Sequence, residues 1–136
     1  AAAATDYYRQ AYELETTNKD AAIFYGSALI LGGQVAAGET IIAPFVETGR
    51  AAHPKLLATY RSIGQLSRAI PVWEAAIRAN PEDPQQYFTL AAIYYLAGNR
   101  IKAVQVLEEA KRILPEVAQQ ADPVIEQIRN GTAQVL

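Results

Sequence analysis

The chain has no cysteine and no methionine, and it has only one histidine, His53, and one tryptophan, Trp73. Without cysteine, disulfides and thiolate metal sites are excluded, and the redox compartment leaves no mark on the sequence. A first residue other than methionine, in the run Ala1 to Ala4, points to a processed chain or a piece of a longer protein. A secretory signal needs a charged start and a long apolar run, and neither is present in this opening. Basic residues are sparse as well. Lys and Arg total 12 against 14 Asp and Glu, for a net charge of −2, and no basic cluster alternates with aromatics. Nucleic-acid binding needs a concentrated positive footprint, and a membrane-surface anchor needs a polybasic segment. The sequence therefore predicts no nucleic-acid partner and no membrane anchoring.

Long hydrophobic runs are missing too. The longest uncharged stretch of interest, Ala21 to Gly38, is interrupted by Gly26, Ser27, Gly32, Gly33 and Gln34. A membrane-spanning helix needs about 20 predominantly apolar residues. This stretch reads instead as a buried helix that ends in a turn at Gly32-Gly33. Glycine and proline, 8 and 7 in number, are scattered, so no flexible linker divides the chain. What remains is a globular balance of 51% apolar and 19% charged residues over 136 positions, enough for one domain with one core.

No catalytic or metal-binding set can be assembled. His53 stands alone beside Pro54 at a helix start, with no Ser-His-Asp or Cys-His partner set. Gly32-Gly33 is followed by Gln34, with no Gly-Lys-Ser/Thr to cradle a phosphate. Carboxylate neighbours such as Glu108 and Glu109 fall on a solvated helix face, and no His-Glu-x-x-His spacing occurs. The triplet Asn130-Gly131-Thr132 matches a glycosylation sequon but reads as a helix end. The expectation is a protein that is no enzyme and uses no cofactor and no metal.

The positive signal is an internal repeat. A shift of 34 residues, without gaps, aligns 50–83 with 84–117. Eleven positions are then identical: Leu56/Leu90, Ala58/Ala92, Tyr60/Tyr94, Gly64/Gly98, Ala69/Ala103, Val72/Val106, Glu74/Glu108, Ala76/Ala110, Arg78/Arg112, Pro81/Pro115 and Glu82/Glu116. Leu90, Ala91 and Tyr94 share one helix face, and Ala103, Val106, Leu107 and Ala110 form the stripe opposite. Gly98-Asn99 supplies the turn between the two helices, and Pro115 ends the second. Asp83-Pro84 and Asp122-Pro123 read as helix starts, an N-cap followed by proline in the first turn.

These residues resemble the tetratricopeptide repeat, whose pattern is an aromatic, Leu-Gly, Tyr, Ala-x3-Phe and Pro. One unit reads Tyr87, Leu90-Ala91, Tyr94, Ala103, Leu107, Pro115, and the other reads His53, Leu56-Leu57, Tyr60, Ala69, Trp73, Pro81. His53, Leu57 and Leu107 are mild departures. The resemblance implies an all-α solenoid of antiparallel helix pairs, a superhelix of about seven to eight helices, in a single domain over 1–136. Within it, 1–18 is the second helix of a partial repeat, on Tyr8, Ala11 and Leu14. Residues 19–49 form a divergent repeat shortened by three residues, and its first helix spans about 20–31. In its second half Thr40 is expected to start a helix with Pro44 in the first turn, as Ser67 does for Pro71. Full repeats follow at 50–83 and 84–117. Residues 118–136 make a capping helix and tail, in which the helix at 116–130 turns Val117, Ala121, Val124, Ile125 and Ile128 inward and stops at Gly131.

In that family the first helices line a concave groove that holds a partner peptide or helix. Carried over, the groove comprises Ile23, Phe24, Ser27 and Ile30, then Lys55, Ala58, Thr59 and Ser62, then Gln85, Phe88, Thr89, Ala92 and Tyr95. The set is apolar and aromatic with one cation, Lys55. Ser27, Ala58 and Ala92 stand where some members carry the asparagines of a carboxylate clamp, so chaperone-tail binding is not expected. The implied function is non-catalytic protein–protein interaction with a protein or peptide partner. The same residues could instead be buried in a homodimer or pack on one another. A second expectation is a soluble domain of a larger bacterial cell-envelope or membrane protein that serves assembly or scaffolding, since residues 125–131 resemble the tails of such repeat domains. The compartment, cytoplasmic or periplasmic, is not legible.

Overall fold

The computed structural model describes residues 2–134, without the side chain of Ala2; Ala1 and the last two residues of the expected tail lie outside the described residues. Eight α-helices follow one another and no strand occurs among the described residues: α1 (Ala2–Leu14), α2 (Lys19–Leu31), α3 (Val35–Ile42), α4 (Pro54–Ser62), α5 (Ile70–Ala79), α6 (Pro84–Leu96), α7 (Arg100–Ile113) and α8 (Ala118–Asn130). Three short 3-10 turns, Ala43–Phe45, Leu66–Ala69 and Pro115–Val117, bridge helices. No described helix is long and apolar enough to cross a membrane.

The helix ends follow from local chemistry. Asn18 caps α2 by accepting from the Ala21 amide at 3.0 Å, and Asp83 caps α6 by accepting from the Gln85 amide at 3.1 Å, with Pro84 in the first turn. Asn99 caps α7 in the same way through the Lys102 amide, at 3.0 Å. Each such bond satisfies an amide that has no partner inside its helix. After α6 the chain reverses at Gly98, φ 85°, and the Asn99 amide reaches back to the Tyr94 carbonyl at 2.8 Å. That left-handed backbone favours glycine, and the same closure recurs at Gly33 after α2 and at Gly64 after α4.

Packing joins neighbours in sequence, α1 on α2, α2 on α3, α5 on α6, α6 on α7 and α7 on α8, and α2 also packs on α4. One apolar cluster runs from Ala22 to Ile128 and includes Leu56, Tyr60, Trp73, Leu90, Tyr94 and Leu107. Small residues decide how close the helices come. Counted five positions from the left-handed glycines, Gly38, Ala69 and Ala103 occupy one place in three successive helix pairs, and all are buried. α2 and α3 cross at Gly26 and Gly38. A methyl on Gly26 would lie 2.6 Å from Ile42 Cγ1 and 2.8 Å from the Gly38 carbonyl oxygen, and a methyl on Gly38 would run into the Gly26 carbonyl.

Three expected helix starts are displaced. Thr40 lies inside α3, which already begins at Val35, and its hydroxyl donates to the Ala36 carbonyl at 2.9 Å. Pro44 follows the helix, in the 3-10 turn that buries Phe45. The earlier start brings Gly38 onto α3, where it meets Gly26. Ser67 lies in the Leu66–Ala69 turn and caps nothing, whereas Pro71 does fall in the first turn of α5. Asp122-Pro123 starts no helix, because Pro123 is inside α8. Val117, Ala121, Ile125 and Ile128 form one buried stripe across it, which favours an unbroken helix. The proline deprives only the carbonyl of Gln119 of a partner, and that residue is exposed to water.

Gly38→Ala is expected to destabilise the fold by about 1–3 kcal/mol, although alanine intrinsically favours a helix by about 1 kcal/mol over glycine. Urea unfolding followed by the fluorescence of Trp73, which is buried, measures it. A midpoint equal to or above that of the parent would show that the α2–α3 crossing is not constrained.

Candidate functional site

The expected groove residues differ widely in exposure. Three of the first group, Ile23, Ser27 and Ile30, are 0% exposed. Phe24 is half-buried, stacked on Tyr8 of α1 at 5.7 Å between ring centroids, with the His53 ring edge-on at 5.8 Å. α1 thus covers part of Phe24. His53 itself caps α4, its Nδ1 accepting from the Lys55 amide at 2.9 Å. Thr59 is 2% exposed, and its hydroxyl donates to the Lys55 carbonyl at 2.7 Å. Ser27 and Thr59 therefore offer no surface to a ligand. Ser27 Oγ is enclosed without a hydrogen-bond partner.

The remaining positions fall into separate depressions. Lys55 borders an open hollow between α1 and the end of α2, with Asp6, Tyr8 and Leu31. Ser62 and Ala58 border a second hollow along α4, with Leu57 and Arg61. The third brings four expected residues together: Gln85, Phe88, Thr89 and Ala92 of α6 face Val124, Gln127 and Ile128 of α8 across a cavity of about 230 Å³. Gln134 of the tail closes one side. The floor is aliphatic and aromatic, and the rim carries amides. Its volume is below the ~300–1,000 Å³ of small-molecule sites, so it suits an inserted side chain better than a cofactor. Tyr95 is half-buried on α6 and does not line this cavity.

A further cleft lies between α5, α6 and α7, with a volume of about 350 Å³, and no groove expectation included it. Ile77, Leu90 and Val106 line it together with Tyr87, Tyr94 and Glu74. Tyr94 donates to Glu74 Oε2 at 3.3 Å, and Lys102 Nζ stands 6.0 Å from the centroid of the Tyr94 ring. One repeat earlier the same device is tighter. Tyr60 donates to Glu39 Oε2 at 2.6 Å, and Arg68 pairs with Glu39 at 3.2 Å. The repeat identity Tyr60/Tyr94 was the sequence signal for this arrangement, and it reads there as packing alone. Burial, then the hydrogen bond to Glu39, holds the Tyr60 phenol well above the ordinary tyrosine range. Tyr94 is raised by burial and then by Glu74, and Tyr87 mainly by burial. No group of three or more His, Cys, Asp or Glu among the described residues could hold a metal ion.

Two outcomes follow from this geometry. Ser27→Ala is expected to be neutral or to stabilise by up to about 1 kcal/mol, since it removes a buried hydroxyl without a partner; a urea midpoint clearly below the parent's would mean that the hydroxyl is satisfied. Tyr60 should be among the last tyrosines to ionise in an alkaline ultraviolet titration. Its folded pKa is raised, so its contribution is intact below about pH 10, where the unfolded phenol ionises, and is lost as pH climbs towards the folded value. The alkaline fall in stability should therefore be shallower in Tyr60→Phe, and an unchanged slope would remove Tyr60 as its source. Compared with known proteins, the chain matches no protein-family model, no curated protein and no solved structure.

Proposed function

We propose that the chain is a tetratricopeptide-like solenoid whose first-helix face holds a segment of another polypeptide, without catalysis. The depression between α6 and α8 carries this reading. Gln85 and Phe88 stand at its edge, while Thr89 and Ala92, 8% and 4% exposed, lie deep in its apolar floor. Such a surface accepts an apolar anchor side chain, while the glutamine amides bond to the backbone of the bound segment. The 34-residue repeat and the antiparallel packing of α6 on α7 support the solenoid reading. The absence of a phosphate loop or catalytic set in the sequence favours holding over chemistry.

A second reading, a domain that docks within a larger envelope assembly, draws on the exposed apolar residues Tyr7 and Leu14 of α1. In that reading α1 rather than the α6–α8 depression is the contact.

Selection of peptides from a random-peptide phage library, followed by calorimetry, tests the first reading. Enriched peptides should share an apolar anchor. Phe88→Glu, checked by circular dichroism to remain helical, should weaken them by about tenfold or more. Ile101→Glu is the control, because Ile101 is 74% exposed on α7 and away from the depression. No enriched peptide family, or equal affinity for the parent and Phe88→Glu, would sink the reading.

A further inference from the structure

Two successive seams of the stack carry the same three groups, a phenol, a carboxylate and a cation, at different spacings. In the first, Tyr60 donates to Glu39 at 2.6 Å, and Arg68 pairs with that carboxylate at 3.2 Å. A shift of 34 residues carries Tyr60 to Tyr94 and Arg68 to Lys102. The carboxylate does not follow. Glu39 lies six residues past the left-handed Gly33, whereas Glu74 lies ten past Gly64. Four residues are one helical turn, about 6 Å along α5. Acid and base are thereby parted. Among the described residues neither Glu74 nor Lys102 has an ion-pair partner: Glu74 takes only the Tyr94 hydroxyl, at 3.3 Å, and Lys102 Nζ stands 6.0 Å from the centroid of the Tyr94 ring. Both line the cleft of about 350 Å³ between α5, α6 and α7, together with Ile77, Leu90 and Val106.

We propose that this cleft binds a free α-amino acid with an aliphatic side chain of leucine's size. A zwitterion completes between Glu74 and Lys102 the link that Glu39 and Arg68 make directly. Its ammonium donates to Glu74, its carboxylate accepts from Lys102, and its side chain lies on Ile77, Leu90 and Val106. Charge-assisted bonds of about 2.8 Å on either side of the ligand take up the separation that one helical turn creates. The other charges of the lining have partners of their own: Arg78 pairs with Glu47 at 3.7 Å, and Glu109 holds Arg112 at 2.9 Å. A volume at the low end of the ~300–1,000 Å³ of small-molecule sites suits an amino acid better than a nucleotide. A ligand with a single charge leaves either Glu74 or Lys102 unmatched, and an uncharged one leaves both. The site is apart from the α6–α8 depression, and its test does not depend on peptide binding there.

Calorimetry with L-leucine as the probe tests the proposal. Saturable binding in the millimolar range or tighter is expected. N-acetyl-L-leucine lacks the ammonium and L-leucinamide lacks the carboxylate, and each should bind about tenfold more weakly or worse. Glu74→Gln, which still accepts from Tyr94, and Lys102→Gln should each weaken leucine by a similar factor, with the circular dichroism of the parent. The losses should not add. Glu74→Gln is expected to bind leucine and N-acetyl-leucine alike, and Lys102→Gln to bind leucine and leucinamide alike. Phe88→Glu, in the other depression, should leave leucine binding unchanged. The proposal is overturned if leucine gives no saturable heat, if either analogue binds as tightly as leucine, if Glu74→Gln or Lys102→Gln leaves the affinity unchanged, or if Phe88→Glu abolishes it.

Discussion

The structure depends on close contact between helices at positions that carry almost no side chain. Gly38, Ala69 and Ala103 each lie five residues past a left-handed glycine, where a second helix begins to pack against the first. At the α2–α3 crossing the contact is backbone on backbone, because Gly26 meets Gly38. Contact that close maximises dispersion between flat surfaces and leaves no space for water. It also limits what else the chain can do. The helices that carry the expected groove are drawn together until Ser27 and Thr59 are sealed inside.

Polar bridges add direction to this packing. Tyr60 and Tyr94 occupy one place in consecutive repeats, and each sends its hydroxyl out of the core to a glutamate on the helix before it, Glu39 and Glu74. A buried phenol needs such a partner, since burial without one costs about 1–3 kcal/mol. The first bridge is short and backed by Arg68, whereas the second is longer, and a cleft opens between α5, α6 and α7. Repeats alike in sequence thus differ in how tightly their outer seam is closed.

The first and the last described helices differ in the same terms. α8, with Val117 of the turn before it, presents a buried stripe of Ala121, Ile125 and Ile128 and an exposed outer face of Gln119, Gln120, Glu126 and Arg129. It packs on α7 and turns a polar face to solvent. α1 instead leaves Tyr7 and Leu14 in solvent. Surface of that kind is the common starting point for association.

Much of this was legible in the sequence. The 34-residue identity set located α4 to α7, and the Asp83-Pro84 start, the Gly98-Asn99 turn, the inward stripe of α8 and its Gly131 stop follow from capping, left-handed backbone and helical periodicity. These are local properties, set by each residue and its near neighbours. Helix starts near prolines were misplaced, because Thr40 and Asp122 can cap a helix but the apolar stripes through Gly38 and Ala121 outweigh them. Tertiary structure alone decided which groove positions remain open. Exposure of Ser27, Thr59 or Phe88 depends on which helix arrives from far along the chain, and a position within its own helix carries no record of that arrival.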